Sequence, residues 1–357
     1  MTIYSVITGT GNYIPTKVIK NEDFLSYDFF EKEGVRITKD NAEVISKFQE
    51  ITTIAERRYV TKELVTSDIA AFSADAAIKS AGIDKEELDY VIVAHNFGDV
   101  TDENKQLDIV PSLAARVKQK LKIKNPYAVA YDVPFGCPGW LQAMIHADYF
   151  IKSGDAKKVL IIGADVLSRV CDPHDRDSMI YADGAGAVIL EAKESEMPIG
   201  ILAHKTRSDT YEYANMLFMG KSYNNTNGCV GNPYLKMNGR KLYQYALETV
   251  PAAIQACLEK SNTNLSEIKK ILIHQANGKM DDAIIERLYK LYDLPILEGV
   301  MPMTIEYLGN SSVATIPTLL DLILQGKVEG HALNKGDKIV FASVGAGMNI
   351  NAAVYSM

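Results

Sequence analysis

Short apolar runs without polar alternation recur along the chain, and longer amphipathic stretches separate them. Residues 90–95 and 159–163 are two such runs, each of strand length. Strands that are apolar on both faces are typical of parallel sheets covered by helices on both sides. The pattern therefore predicts an α/β protein.

The order of these elements repeats after about half the chain. An amphipathic helix, a polar turn and a buried strand ending in His occupy residues 76–95, and the same order recurs in residues 252–274. The offset is 176 at the start (252 − 76) and 179 at the end (274 − 95). A Gly-Asp pair precedes the strands at 158–163 and 338–342, with an offset of 182 (336 − 154). Two similar α/β units packed together account for this repetition, and chance resemblance of generic α/β segments is the alternative.

The repeat divides the chain into an N-terminal half, residues 1–190, and a C-terminal half, residues 191–357. Two stretches with weaker periodicity, residues 21–50 and 211–245, are predicted to be insertions or lids that shape substrate access. No low-complexity linker separates the halves, so we expect one rigid body.

Composition and charge exclude several classes of protein and partner. The 357 residues are 47% hydrophobic, enough for a substantial core. Against 38 basic residues stand 45 acidic ones, and the absence of a basic stripe excludes nucleic acid as the main partner. The apolar runs are too short for a membrane span, and the start has no secretory signal pattern. Four cysteines without a CxxC pair argue against a disulfide framework or structural zinc, so we expect a soluble cytoplasmic protein whose special cysteine is chemically active.

The most informative stretch surrounds Cys137, between a predicted strand (residues 128–133) and a predicted helix that begins at about Pro138. Proline suits the first helical position, where no backbone donor is needed. Cys137 then lies at a helix N-terminus, where the dipole and free amides favour a nucleophilic thiolate. A buried structural cysteine is the alternative, and this is the interpretation of the cysteines that lack such a setting: Cys171, Cys229 and Cys257.

His274 and Asn310 are candidate partners of Cys137. His274 directly follows an apolar strand, and ligands of open parallel sheets bind at the carboxyl ends of strands. Asn310 precedes a helical run, and superposing the two halves by their strands puts it roughly at the place of Cys137. A pseudo-twofold axis would then bring the three side chains to one site. A hydrogen-bonded core histidine and a helix N-cap are the alternatives for His274 and Asn310.

Two glycine-rich segments receive different interpretations. Residues 183–187, Asp-Gly-Ala-Gly-Ala, lead into a strand, so close backbone packing explains them better than dinucleotide binding. Gly345, Ala346 and Gly347 could expose backbone amides near the thiol, where they would bind a thioester oxyanion together with the amide of Cys137.

With these motifs in this order, the sequence resembles the β-ketoacyl-acyl carrier protein synthase III family of thiolase-like condensing enzymes. The resemblance runs from the first strand to the last residues. Its landmarks are residues 136–137, 170–176, 183–187, 274–277 and 309–312. It implies a duplicated five-layer αβαβα fold, a homodimer, and a catalytic triad of Cys137, His274 and Asn310.

The resemblance further implies an acyltransferase that performs a decarboxylative Claisen condensation in fatty-acid or polyketide-type lipid synthesis. Cys137 would take an acyl group from a coenzyme A or acyl carrier protein thioester. His274 and Asn310 would hold the malonyl thioester on acyl carrier protein, whose enolate attacks the acyl group. Coenzyme A and phosphopantetheine thioesters are substrates here, and no metal ion or further cofactor is implied.

The resemblance also assigns residues to coenzyme A or carrier binding. Arg176 matches an arginine that stacks on the adenine of coenzyme A, but about Val44 stands where the opposing tryptophan is usual. This departure favours an acyl donor bound to carrier protein. Asn277 and Lys279 match the carrier-binding region, where Lys279 is the basic residue that helps to dock an acidic carrier.

Two further departures concern the acyl pocket. Val344 replaces an aromatic residue that presses on the malonyl carboxylate, and about Val110 replaces an aromatic residue with which the partner subunit closes the acyl tunnel. These smaller gates predict a roomier pocket for a longer or unusual acyl chain and favour a specialised pathway.

Three alternatives stay open at this point. An acyltransferase of the same fold would load Cys137 and pass the acyl group on without decarboxylation. A non-catalytic partner subunit of a condensing complex is more remote. The spacings of 137 residues (274 − 137) and 36 residues (310 − 274) also occur in papain-like proteases, although the flanking sequence typical of their cysteine is missing.

Overall fold

The structure is a computed structural model that describes residues 1–224 and 233–357. The strands in these ranges are β1 (Thr2–Tyr13), β2 (Lys17–Lys20), β3 (Glu56–Tyr59), β4 (Tyr90–His95), β5 (Asp99–Val100), β6 (Leu107–Asp108), β7 (Val129–Pro134), β8 (Lys158–Val166), β9 (Asp183–Ser195), β10 (Gly200–Ser208), β11 (Leu217–Gly220), β12 (Tyr234–Met237), β13 (Ile268–Ile273), β14 (Lys338–Gly345) and β15 (Asn349–Ser356). The α-helices are α1 (Asn41–Thr52), α2 (Thr66–Ala81), α3 (Leu113–Lys120), α4 (Gly139–Ser153), α5 (Thr210–Tyr213), α6 (Gly239–Ser261), α7 (Gly278–Leu291), α8 (Ile305–Leu308) and α9 (Thr315–Leu324).

Two main sheets form the framework. The first has the order β1-β9-β8-β4-β7 and the second the order β10-β15-β14-β13. Strand β4 runs parallel to β7 and β8, and β13 runs parallel to β14, as the apolar runs predict. The expectation of purely parallel sheets is wrong, because β9 and β15 run antiparallel to their neighbours. Only three residues join β14 to β15, too few for the crossover that a parallel pair requires.

Helices cover both faces of each sheet and create five layers. Trp140 of α4 and Leu320 of α9 lie between the sheets and share one buried cluster with Ile161 and Phe341 from the two sheets. Helices α2 and α3 pack on the outer face of the first sheet, and α6 and α7 pack on the outer face of the second. The expected αβαβα arrangement is therefore confirmed.

The repeat seen in the sequence is present in the topology. Strands β1, β9, β8 and β4 follow one another in the first sheet in the same order as β10, β15, β14 and β13 in the second. Each of β4 and β13 is preceded by an outer helix and a short 3₁₀ turn. The first sheet draws on residues 2–195 and the second on residues 200–356. Helices α4 and α9 consequently occupy equivalent places in the central layer.

The two less periodic stretches behave as insertions. Residues 21–50 contain most of α1 and form a small core of their own, which includes Phe24, Phe29 and Val44. The described part of residues 211–245 forms α5, β11, β12 and the start of α6, while Cys229 lies outside the described residues. Within residues 1–224 and 233–357, none of the helices combines the length and apolar character needed to cross a membrane.

Candidate active site

Cys137 lies in the tight turn between β7 and α4. The turn needs glycine at position 136, because its φ is +69° and a Cβ there would lie 2.8 Å from the backbone nitrogen of Ala346. Pro138 is the N-cap of α4, and the helix begins at Gly139, one residue later than predicted. The predicted placement of Cys137 just before a helix N-terminus is otherwise confirmed.

The protonation state of Cys137 differs from the expectation. Burial raises the pKa of this thiol to about 11, and a hydrogen bond from the Ser312 hydroxyl to Sγ, 3.4 Å long, only partly opposes the shift. The nearby carboxyl of Asp165 raises the pKa further. The prediction that the thiolate is favoured is therefore wrong, because burial of the thiol outweighs the hydrogen bond from Ser312. Cys137 is a thiol until its proton is taken away.

His274 follows β13, as predicted, and is buried. Its backbone N–H donates to the carbonyl of Ala342 on β14 over 2.9 Å, which fixes the residue to the sheet edge. Its Nδ1 lies 2.8 Å from Oγ1 of Thr315 at the start of α9. Burial lowers the pKa of the imidazole to about 4, and a hydrogen bond with the backbone of Ser312 opposes this. His274 is therefore neutral at physiological pH, and one ring nitrogen carries the proton.

Asn310 is held by its backbone between the two halves. Its N–H donates to Ile180 over 3.0 Å, and its carbonyl accepts from Ala182 over 2.8 Å. Its side-chain Oδ1 accepts from the backbone N–H of Ser312 over 2.8 Å, which leaves the Nδ2 group as the outward donor. Asn310 is not the N-cap of α9, since that position is occupied by Ala314.

The three side chains share one cavity of about 1720 Å³, which we call the thiol cavity. Many of its lining residues come from the two insertions and the residues that directly follow them, within residues 31–52 and 237–248. The predicted site residues that line it are Cys137, Arg176, His274, Asn277, Asn310 and Val344. The folded chain thus brings together residues 207 positions apart in sequence (344 − 137).

The predicted oxyanion loop lies against Cys137. A Cβ added to Gly345 would lie 2.6 Å from the Cys137 backbone nitrogen and 2.9 Å from its Cβ. Gly347 has φ +100°, and the carbonyl of Ala346 accepts a hydrogen bond from Asn349 over 2.9 Å. The loop is therefore fixed in close contact with the nucleophile, and glycine at 345 is a steric requirement.

The remaining predicted binding residues are placed less directly. Arg176 is half exposed at the cavity and pairs with Glu31 over 3.3 Å. Lys279 pairs with Glu50, a cavity-lining residue, over 3.5 Å. Asn277 accepts a hydrogen bond from Met280 N over 3.1 Å and so caps α7. Val110 is 81% exposed and does not line the thiol cavity of its own chain.

Other sequence interpretations are settled by packing. A Cβ on Gly186 would lie 2.7 Å from the backbone nitrogen of Thr318, so close packing of β9 against α9 is confirmed for the glycine-rich segment. Cys171 and Cys257 are buried, in agreement with structural roles. Val44 both lines the thiol cavity and belongs to the small core of the first insertion. Across the described residues, no three His, Cys, Asp or Glu side chains are grouped to hold a metal ion.

Three polar residues beside the triad were missed by sequence reasoning: Asp165, Ser312 and Thr315. Ser312 and Thr315 follow Asn310 closely, so their hydroxyls were a usable signal near a candidate catalytic residue. Asp165 ends an ordinary apolar strand and gives no such signal. Its connection to the site exists only in the fold.

Comparisons with known proteins show which family the chain resembles. The family model for 3-oxoacyl-[acyl-carrier-protein] synthase III matches residues 131–210, and the model for the C-terminal part of this family matches residues 258–357. The beta-ketoacyl-[acyl-carrier-protein] synthase III of Cereibacter sphaeroides is 32% identical over 353 residues, covering 98% of this chain and 97% of the relative. The synthase III 1 of Vibrio cholerae is 32% identical over 354 residues, covering 99% of each chain.

Solved structures of the same type have the same fold. The 3-oxoacyl-[acyl-carrier-protein] synthase III of Aquifex aeolicus VF5 has a TM-score of 0.78 and 29% identity, covering 99% of this chain and 100% of that one. The similarity extends over the whole length and includes both halves of the site. The chain therefore belongs to the β-ketoacyl-acyl carrier protein synthase III family.

Proposed function

We propose that this condensing acyltransferase loads an acyl group on Cys137 and joins it to a malonyl thioester carried by acyl carrier protein. Carbon dioxide is lost and a β-ketoacyl thioester is released. The observation that carries the proposal is the shared thiol cavity, in which Cys137, His274 and Asn310 meet although they come from different halves. Relatives named beta-ketoacyl-[acyl-carrier-protein] synthase III cover nearly the entire chain, which supports the same chemistry.

Acyl transfer to Cys137 is the first half-reaction. The sulfur attacks the carbonyl of the donor thioester and gives up its proton, the bond to the donor sulfur breaks, and the donor sulfur takes up a proton and leaves as a thiol. Because the pKa of Cys137 is about 11, proton removal must accompany the attack. The amides of Cys137 and of the Gly345–Gly347 loop stabilise the tetrahedral oxyanion in this proposal, which the close contact of Gly345 with Cys137 supports.

Condensation is the second half-reaction. The Nε2 of His274 and the Nδ2 of Asn310 hold the carbonyl of the malonyl thioester and stabilise the enolate that forms as carbon dioxide departs. The enolate carbon attacks the acyl carbonyl on Cys137, the bond between that carbonyl and Sγ breaks, and the sulfur takes up one proton, drawn overall from solvent, to become a thiol again. Removing one such donor typically costs roughly 2.7–4 kcal/mol of barrier.

The charged residues near the mouth of the thiol cavity are the proposed contacts for the substrate carriers. Lys279 supplies a positive charge there for an acidic carrier protein, although Glu50 offsets part of it. Arg176 lies at the cavity for stacking on a coenzyme A adenine, and its exposed ion pair with Glu31 engages only one edge of the guanidinium. The exposure of Val110 supports its contact with a partner subunit. A homodimer, a cytoplasmic location and thioesters as the sole small-molecule requirement belong to the same proposal.

The acyl pocket is proposed to accept a longer or unusual chain. Val344, a small residue, lines the thiol cavity at a position where the resemblance leads one to expect an aromatic residue. The papain-like alternative is wrong, because the fold is that of the thiolase-like family. Acyl transfer without decarboxylation is the second candidate function, and Val344 is the observation that favours it.

Intact-mass measurement tests the proposal. Wild type is incubated with acyl-coenzyme A and acyl-carrier donors of several chain lengths, beside Cys137→Ala and the matched control Cys257→Ala. We expect an acyl adduct on wild type and on the control but none on Cys137→Ala. His274→Ala is expected to acylate yet release no carbon dioxide from malonyl-carrier. Absence of any adduct would contradict covalent catalysis, and an adduct without carbon dioxide release by wild type would favour the second candidate.

A further inference from the structure

A hydrogen-bonded chain runs from Cys137 away from the substrate side of the site. The Ser312 hydroxyl lies 3.4 Å from Sγ of Cys137. The Nδ2 of Asn96 donates to Ser312 Oγ over 2.9 Å and to Oδ2 of Asp165 over 2.6 Å. A hydrogen bond between the Ser312 side chain and Asp165 contributes to the ionisation of that carboxyl. Four residues from distant parts of the sequence thus meet behind the thiol.

Asp165 is an unusual residue to find there. It lies near the end of β8 and is 1% exposed. Asn96 donates two hydrogen bonds to the Asp165 carboxylate, one from its backbone N–H to Oδ1 over 2.9 Å and one from its side chain to Oδ2. Burial nevertheless raises the pKa of the carboxyl to about 6, in the range where a base is useful at neutral pH. The two half-reactions described above leave it without a role.

Ser312 can connect the acid to the thiol because of how its hydroxyl is bonded. A serine hydroxyl has one donor and two acceptor positions. Asn96 occupies one acceptor position, so the single proton is free to point toward Sγ of Cys137 or toward Asp165. The φ of Ser312 is +53°, a sparsely populated conformation for serine, and it is held by the hydrogen bond from its N–H to Asn310.

We propose that Ser312 and Asp165 form a proton relay that removes the Cys137 proton during acyl transfer. The relay rests on the proposed function and deepens its first half-reaction. Ser312 contacts the reacting sulfur directly, whereas Asp165 acts through Ser312 and is a positioning residue that holds the proton.

The proton balance closes over the two half-reactions. As Sγ bonds to the donor carbonyl, its proton passes to Ser312 Oγ, and the serine proton passes to the Asp165 carboxylate. When the tetrahedral intermediate collapses, the bond to the donor sulfur breaks, and the departing thiolate takes a proton from solvent in the thiol cavity. Asp165 holds the relay proton until the enolate displaces the Cys137 sulfur. The relay then runs in reverse, restores the thiol and leaves Asp165 ionised.

The charged surroundings are compatible with this role. His95 on β4 favours the ionised form of Asp165, and Asn96 and Ser312 do so by hydrogen bonds. Cys137 faces Ser312 and Asp165 on this side and shares the thiol cavity with His274, whose pKa of about 4 keeps it neutral. No cation among the described residues that act on Cys137 would lower its pKa in place of the relay.

The test isolates the first half-reaction. Acyl-Cys137 formation from an acyl-coenzyme A donor is followed by rapid quench and intact mass from mildly acidic to mildly alkaline pH. For wild type, the rate should rise through a pH of about 6 and then level off, because Asp165 is ionised above that point. For Asp165→Asn, we expect a rate about 100-fold lower at neutral pH, since a positioned base commonly contributes at least that factor. The variant rate should keep rising with pH because only direct ionisation of the thiol remains.

Ser312→Ala provides an independent check, because it leaves the bonds between Asn96 and Asp165 in place. It should show the same loss and the same continued rise, and the double variant should lose no more than either single one. Asp183→Asn is the matched control. The Asp183 carboxyl is also buried, has a pKa raised to about 6 and accepts a hydrogen bond from the Ser168 hydroxyl. It does not contact the hydrogen-bonded chain that leads to Cys137. It should keep the wild-type pH profile.

Each possible result either supports or overturns the proton relay. A levelling-off retained in Ser312→Ala, or a uniform loss in both variants with an unchanged pH profile, would overturn the relay while leaving the acyl-enzyme intact. If Asp165→Asn does not fold, Ser312→Ala alone decides. Failure of wild type to acylate with any donor would overturn the proposed function and the relay together.

Discussion

Replacing Thr315 with valine separates the two half-reactions. Valine has nearly the same shape as threonine but lacks the hydroxyl, which lies 2.8 Å from His274 Nδ1 and donates to the Ser312 carbonyl over 3.0 Å. The buried imidazole has a pKa of about 4, so it stays neutral and has a single N–H. The hydroxyl has one proton and two acceptors within reach, the Ser312 carbonyl and His274 Nδ1. Condensation requires the arrangement in which Nδ1 accepts that proton, because the imidazole N–H is then on Nε2, where the malonyl carbonyl needs it.

The magnitude follows from the loss of this donor. Without the threonine hydroxyl, Nδ1 loses the donor that this tautomer requires, while the hydrogen bond between the imidazole and the Ser312 backbone remains. The tautomer with a proton on Nε2 is then no longer selected, and donation to the enolate is lost. Loss of one donor of this kind costs about 2.7–4 kcal/mol, or about 100- to 1000-fold in kcat. The unpaired buried group also lowers the unfolding free energy by about 1–3 kcal/mol.

The assay measures both steps on the same protein. Carbon dioxide release from malonyl-acyl carrier protein reports condensation, and the intact-mass adduct reports acylation of Cys137. Thr315→Val should lose the first and keep the second, and Thr315→Ser should recover the first because it restores the hydroxyl. Thr318→Val, one turn further along α9, removes a buried hydroxyl that donates to the Ala185 carbonyl over 3.4 Å and serves as the matched control.

Two results would refute this reasoning. If Thr315→Val releases carbon dioxide at the wild-type rate, the hydroxyl does not set the tautomer of His274. If Thr318→Val loses condensation equally, the loss in Thr315→Val reflects weakened packing of α9 and not the lost hydrogen bond.

Three further predictions concern stability and specificity. Gly186→Ala should lower the unfolding free energy by about 1–3 kcal/mol in denaturant titrations, because its Cβ would lie 2.7 Å from the Thr318 nitrogen. Gly239→Ala is the control and should be nearly neutral, because its Cβ would lie 3.5 Å from the nearest atom. The free energy of unfolding should fall as pH drops from 6.5 toward 4, since the unfolded chain protonates His274 and the folded one does not. His274→Gln should reduce this fall by up to about 3 kcal/mol. An equal fall in the variant and the wild type would contradict the prediction. Val344→Phe should shorten the longest acyl chain accepted in the intact-mass assay, and an unchanged chain-length profile would show that Val344 does not gate the pocket.

Much of the architecture was predictable because it depends on patterns of neighbouring residues. Apolar runs of strand length, helical periodicity and a Gly-Asp pair at a half-chain offset were enough for two similar α/β units. The turn Phe135–Gly136–Cys137–Pro138 was predicted to within one residue, since Pro and Gly act on the backbone around them. The antiparallel directions of β9 and β15 were missed, because apolar composition does not report strand direction.

Sequence alone was enough to predict which residues carry the chemistry: a cysteine before a helix, a histidine after a strand and an asparagine at the matching place in the second half. Only the tertiary structure decided their state. Burial, which depends on every layer around the site, turned the expected thiolate into a thiol and kept His274 neutral. The connection from Cys137 through Ser312 to Asp165 joins residues far apart in sequence, and no local pattern encodes a hydrogen bond that exists only after the two halves have packed.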